Sequence, residues 1–363
     1  MKIKPNPKRN YLTWLFFLPI ILSLIGLFFI FESSSVRSFN EFNDSFHYFK
    51  LQFIWIGLGI VAMIFFSFFN YHHLYYLAFI FMLSVIVLLF VVLIPGIGFS
   101  AGGARRWIDL GIINLQPTEL AKFSVIIYLA SWFIHRERRR FFSFLILLFI
   151  LIFLIILQPD MGTAIIVFLL SIAVYFYAGI DIFYLFFLIP GSVLGFLLLI
   201  KISPYRFQRF TAYLNPATDP LGISYHINQI LISLSSGGIF GQGIGASRQK
   251  YLFLPEAHTD SIFAIIAEEF GFIGSLLLII ALLSLTYRIY QITIRSSDRF
   301  GKLLAAGIFA FFNLQIIINL SGMVGLLPLT GVPLPFISYG GSNLLVSFAL
   351  MGILINIAKK GKI

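Results

Sequence analysis

The feature that most constrains this chain is the recurrence of unbroken apolar runs about as long as the twenty residues that cross a bilayer as an α-helix. Ten segments can be drawn from them: 11–31, 50–69, 73–94, 117–135, 141–158, 163–179, 182–201, 260–290, 300–322 and 340–358. The runs are continuous, whereas the strands of a membrane β-barrel alternate lipid-facing and lumen-facing residues. The expected fold is therefore an all-α polytopic membrane protein with about ten transmembrane helices. It is read as a single integral-membrane domain over 1–363, with one long extracytoplasmic loop at 202–259 before the eighth span.

Composition supports this class. The chain is 60% hydrophobic and 11% charged, where a soluble domain carries about 25% charge. It has no cysteine, which excludes disulfides and thiolate metal sites. The net charge of +11 does not point to nucleic acid, because the basic residues gather in short loops between apolar runs, where they set topology. The apolar run after the basic N-terminus is too long for a signal peptide and lacks a small-residue cleavage site, so it is read as a retained first span.

Counting Lys and Arg on alternate sides gives fifteen against four. The larger group includes Lys2, Lys4, Arg136, Arg138, Arg139, Arg288, Arg299 and Lys362, and the smaller is Arg37, Lys50, Arg105 and Arg106. This places both termini in the cytoplasm. The segments then left outside are the distinctive ones: 95–115, Gln158–Thr163, the long loop, and 325–342 with its three prolines and four glycines. Any chemistry belongs on that face. No internal repeat or separate soluble domain is legible.

Asp260 is the first candidate. It can cap the helix that follows, or act as a base at the membrane edge with Arg248, Lys250, Glu256 and His258 close in sequence. Glu268 and Glu269 lie about 12 Å further along that helix, where acids are costly unless paired or facing a cavity. Glu119 and Lys122 have the spacing of a helical ion pair after Pro117. They are either a structural pair or part of the outer cavity. Arg105, Arg106 and Trp107 suit an interfacial anchor, or contact with a lipid phosphate or sugar ring. Asp160 is placed to cap the sixth span. His226 and His258 have no metal-ligand spacing, so whether a metal binds stays open. GQGIG at 241–245 is a weak phosphate-loop signal and reads better as a tight or flexible turn.

The stretches RRWIDLG and NLQPTELAK (105–122), LQPDMGTA (157–164), NPATDPLGISYHINQ (215–229), SSGGIFGQGIGASRQKYLFLPEAHTDSIFAIIAEEFGFIG (235–274) and GLLPLTGVPLPFISYGGSNLL (325–345) run through most of the chain. Together they resemble the family of shape, elongation, division and sporulation proteins (FtsW, RodA and SpoVE). The SRQK run leans towards the FtsW division type. Ser261, Asn343 and Ser321 depart from the pattern, standing where Phe, Ser and Gly are common.

The resemblance implies ten spans in the bacterial cytoplasmic membrane. It implies a peptidoglycan glycosyltransferase that joins lipid II to a growing glycan strand on the outer face. A class B penicillin-binding protein and other divisome or elongasome membrane proteins are the implied partners. Asp260 matches the family's essential acid, Glu119 and Lys122 its polar pair, and Arg106–Trp107 the RW of its first outer motif. The expected reaction inverts at the donor's anomeric carbon, with Asp260 as base. Lys122, Arg248 and one of Arg105 or Arg106 would stabilise the pyrophosphate, with a divalent cation (Mg or Mn) as a candidate aid. The rival readings are a lipid II flippase and a non-catalytic scaffold that recruits a transpeptidase.

Overall fold

The computed structural model describes residues 7–361 except 102, 103, 112, 136–139, 181, 182, 216–218, 221, 223 and 252. Of the basic residues used above to orient the chain, Lys2, Lys4, Arg136, Arg138, Arg139 and Lys362 lie outside the described residues. Each of the ten apolar segments falls on one helix. These helices are α1 (Pro7–Phe42), α2 (His47–Phe68), α3 (His73–Val91), α4 (Pro117–Trp132), α5 (Phe141–Leu157), α6 (Met161–Tyr177) and α7 (Phe183–Ile202), followed after the long segment by α10 (Ile262–Arg295), α11 (Arg299–Met323) and α12 (Gly341–Lys360). Among the described residues seven of them are long and apolar enough to cross a membrane, and α5 and α6 are shorter apolar helices. Helix α4 begins on Pro117, whose fixed φ and missing N–H suit a first turn.

The structure differs from expectation in three places. The segment 95–115 folds into a three-stranded antiparallel sheet of β1 (Gly98–Ala101), β2 (Ala104–Asp109) and β3 (Asn114–Leu115), so the fold is not wholly α. The long segment is not one polar loop but carries α8 (Pro204–Leu214) and α9 (Tyr225–Ser236). The eighth span starts at Ile262 rather than 260, which leaves Asp260 in the preceding turn.

At the centre stands α12, of whose apolar window 89% is buried, with α11 beside it at 72%. Its closest neighbour is α2. A Cβ added at Gly352 would lie 2.4 Å from the Met63 carbonyl oxygen, and one at Gly59 would lie 2.3 Å from the Phe348 ring, so only glycine allows this approach. By contrast α7 is 6% buried and sits at the margin.

Helix α10 is broken where it passes the long segment. Gly271 has φ 66° and ψ −162°, far from helical values. A break inside a membrane helix frees backbone groups that lipid cannot satisfy. The turn after α9 takes them up. The N–H groups of Gln242 and Gly243 donate to the carbonyls of Glu268 and Glu269, and those of Phe272 and Ile273 donate to the carbonyls of Gly238 and Ile239, at 2.9–3.2 Å. The GQGIG stretch therefore mates with a helix kink. A Cβ at Gly271 would lie 2.3 Å from the Gly241 nitrogen, whereas one at Gly57 in α2 would meet nothing within 4 Å. Gly271→Ala is expected to lower stability by about 1–3 kcal/mol, the cost of a strained backbone, and Gly57→Ala to leave it unchanged or raise it. Thermal unfolding in one detergent compares the two. Equal midpoints would mean that the kink is not held as described.

Candidate functional site

Asp260 is buried, 7% exposed, in the turn before α10. Its side chain does not cap that helix: Ser261 is the N-cap, and α10 has no side-chain cap bond. One amide from a neighbouring helix holds the Asp260 backbone. Asn319 of α11 donates through Nδ2 to the Asp260 carbonyl at 2.9 Å and to the Val332 carbonyl at 2.8 Å, tying the turn to the proline-rich segment. On the side chain, Oδ1 accepts from the Thr259 hydroxyl at 3.3 Å, and that hydroxyl also reaches Glu256 Oε2 at 3.0 Å. A crevice too tight to admit a water molecule lies beside Asp260, with Asn319, Gly322, Met323, Thr330 and Gly331 among its lining residues.

Burial pushes the Asp260 carboxyl up to about 6, and the negative charge of Glu256 adds to it, against an opposing pull from Arg209. An acid poised there is ionised near neutrality yet can still take a proton, as a general base must. Next to it, His226 Nε2 meets the Ser261 hydroxyl at 2.8 Å. Burial and the charge of Arg209 bring His226 down to about 4, so it is neutral. His258 is enclosed between Tyr48 and Tyr339, with ring centroids at 4.6 and 5.5 Å. Burial, then the charge of Arg37, lowers it to about 4. Both imidazoles are apolar packing and hydrogen-bonding groups rather than cations. Among the described residues no group of three His, Cys, Asp or Glu is placed to hold a metal.

Arg209 is the cation that sequence reading missed. It stands on α8, whose sequence PYRFQRFTAYL is amphipathic, and its charge acts on both Asp260 and His226. The signal was available, because a short amphipathic helix with two arginines following an apolar span suits the membrane interface.

The other candidates fall into three separate places. Glu119 and Lys122 form a closed network inside the bundle. Lys122 Nζ donates to Glu119 Oε1 at 2.7 Å, and Asn343 Nδ2 donates to Glu119 Oε2 at 2.9 Å and to Gln315 Oε1 at 3.1 Å. Lys122 is 1% exposed, with its ammonium 5.6 Å from the Phe311 ring centre. The geometry favours a structural pair, and Asn343, noted above as a departure from the family pattern, is one of its partners.

Glu268, Glu269 and Lys250 form a second cluster facing the turn after α9. Ser247 donates its hydroxyl to Glu268 Oε2 at 2.6 Å, and the Arg248 N–H donates to Oε1 at 3.1 Å. Lys250 bridges Glu269 at 3.3 Å and Glu32 of α1 at 2.6 Å. Burial lowers the Lys250 ammonium, but the bond to Glu32 and the charge of Glu269 outweigh it, leaving it raised and firmly charged. Glu32 was missed because it lies 218 residues away in the chain, just past the first apolar run. Arg248 presents its side chain to the exterior.

The third place is the sheet. Arg106 Nε donates to the Gln158 carbonyl at 3.2 Å, and its Nη2 donates to Pro159. Arg106 thus pins the segment before α6, where Asp160 caps as expected, accepting from the Thr163 N–H at 3.2 Å. Arg105 is exposed and Trp107 half-buried on the same strand.

Residues 12–363 match the model of the cell cycle protein family FtsW/RodA/SpoVE, and the chain belongs to that family of multi-pass membrane proteins. It is 38% identical over 346 residues to stage V sporulation protein E of Bacillus subtilis, covering 94% of each chain. It is also 38% identical over 371 residues to the probable peptidoglycan glycosyltransferase FtsW of Coxiella burnetii, covering 99% of each. In three dimensions it superposes on a chain of a peptidoglycan synthase complex that coordinates polymerization and crosslinking, with TM-score 0.77, 27% identity and 95% and 97% of the two chains covered. The rod-shape-determining protein RodA of Thermus thermophilus has the same fold, with TM-score 0.71 at 24% identity over 96% of this chain and 97% of its own.

Proposed function

We propose that this protein is a peptidoglycan glycosyltransferase that polymerises lipid II in cell-wall synthesis, with Asp260 as its base. The observation that carries the site assignment is a buried carboxylate held by its backbone, with one hydroxyl as its side-chain partner, in the turn at the start of a membrane helix. Relatives named peptidoglycan glycosyltransferase, at 35–38% identity over nearly the whole chain, support the activity. The lean to the FtsW type has the same support.

Asp260 takes the proton from the acceptor sugar's hydroxyl. The oxygen attacks the donor's anomeric carbon as the lipid pyrophosphate leaves from the opposite side, inverting configuration. The leaving group carries its own negative charge and needs no protonation, so one carboxylate suffices. Lys122 is closed into its own ion pair and Arg106 holds two carbonyls, whereas the charge of Arg209 acts on Asp260; Arg209 is therefore the candidate to steady the pyrophosphate, with Arg248 and Arg105 as exposed cations on the same side. A divalent cation of Mg or Mn type would neutralise the pyrophosphate; with no group of three acids or imidazoles among the described residues to hold it, its ligands would come mainly from phosphate and water.

The excess of basic residues at the other end favours the cytoplasmic side for both termini and the outer face of the bacterial cytoplasmic membrane for Asp260. The likeness to a synthase complex supports a class B penicillin-binding protein as partner.

Arg209→Gln is expected to reduce kcat/KM about tenfold or more, the loss of one charge-assisted contact, with thermal stability unchanged. A rate equal to the parent would remove Arg209 from the site. The assay is polymerisation of labelled lipid II by purified protein with its transpeptidase blocked by a β-lactam. Absence of polymer together with transfer of lipid II across liposome bilayers would make the protein a flippase.

A further inference from the structure

The turn that mates with the α10 kink has a surface the reaction does not use. From Ile227 to Ser247 the chain carries no charged residue. At the turn Ile239, Phe240 and Ile244 are 62%, 81% and 67% exposed. In water such a cluster would be an adhesive patch.

Its depth follows from the main chain, since the carbonyls of Gly238 and Ile239 accept from Phe272 and Ile273. On α10, residues 262–269 are all buried, and exposure begins at Phe272. It continues through Leu276, Ile280 and Leu283 to Tyr287 and Tyr290. That stripe has the composition of a lipid-facing surface, closed at its far end by interfacial tyrosines and Arg288. From Phe272 to Tyr287 is about 22 Å at the helical rise, against about 30 Å for the hydrocarbon layer. Phe272 therefore lies about 8 Å inside that layer, and the turn bonded to it lies at the same level.

We propose that residues 225–245 form a re-entrant hairpin whose turn inserts Ile239, Phe240 and Ile244 among the acyl chains of the leaflet on the Asp260 side. Three N–H groups of the turn are satisfied within the protein, which lessens the cost of insertion: that of Gly241 donates to the Gly237 carbonyl, and those of Gln242 and Gly243 donate to the α10 carbonyls. The one amide side chain of the turn, Gln242, folds back onto the Ser236 carbonyl. Acyl chains are the occupant because these side chains continue the α10 stripe and offer a protein partner neither charge nor hydrogen bonds. The hairpin sets the depth of the segment that leads through Lys250 to Asp260.

The absence of cysteine makes the test direct, because one introduced thiol carries a nitroxide label alone. Phe240→Cys and Ile244→Cys are labelled in phosphatidylethanolamine–phosphatidylglycerol liposomes, with Leu276→Cys as the lipid reference and Asp219→Cys as the aqueous one. Collision rates with oxygen and with a water-soluble nickel chelate are compared. The expected result is an oxygen-to-nickel ratio at both turn positions severalfold above Asp219→Cys and approaching that of Leu276→Cys, which lies about 6 Å deeper. Nickel access equal to that at Asp219→Cys would overturn the proposal. Protection from both reagents would also overturn it, because a protein partner would then cover the turn.

Discussion

Asp260→Ala is expected to lower polymerisation by about 10²–10⁴-fold, the usual contribution of a general base, while the protein still folds. The parent's kcat/KM should rise with pH through a midpoint near the value of about 6 to which burial pushes this carboxyl. Below it the base is protonated and inactive, and that acid limb should vanish in Asp260→Asn. Stability moves the other way. The folded-state value lies above the ordinary 3.8, so between about 4 and 6 the folded chain holds a proton that the unfolded chain has released. Stability then falls as pH rises through that window, and ionised Asp260 costs about 3 kcal/mol at neutrality. Asp260→Asn is expected to melt higher than the parent at pH 7 and to be inactive. A variant that melts lower and retains most of its activity would make Asp260 a structural group.

Lys122→Met is expected to cost about 3–5 kcal/mol, the penalty for stranding a buried carboxylate without its counter-charge. Glu119 would keep its bond from Asn343 but lose the ammonium 2.7 Å away. The double variant Glu119→Gln, Lys122→Met removes both charges and is expected to recover most of the loss. Melting temperatures of the parent, both single variants and the double variant in one detergent measure this. If Lys122→Met melts like the parent and only its activity falls, Lys122 meets the substrate and the pair is not structural.

Much of the architecture was legible because apolar run length is set by the bilayer rather than by tertiary context. Each of the ten segments fell on a helix, and among the described residues seven of those helices are long and apolar enough to cross a membrane. What hydropathy could not give was how interrupted helices are repaired. Gly271 sits in an apolar run and reads as an ordinary helical glycine until the turn at 237–243 is seen to complete its hydrogen bonds. The same holds for the site. Asp260 could be singled out because an acid at the mouth of an apolar run is unusual, but its neighbours arrive from distant segments. Asn319 and Arg209 come from two other helices, and Glu32 closes the Lys250 cluster from the first. The pairing of Glu119 with Lys122 was readable from spacing alone, whereas its closure by Asn343 and Gln315 was not.

The position of α12 bears on biogenesis. The helix most enclosed by the others is the last of them in chain order. During synthesis α2 must therefore wait in the membrane with the faces of Gly59, Trp55 and Met63 against lipid until α12 arrives. The early helices form an open cradle, and insertion of α12 closes it. Truncation before Gly341 would remove the centre of the bundle rather than its edge. Quality control of this protein would thus act only once α12 has been inserted.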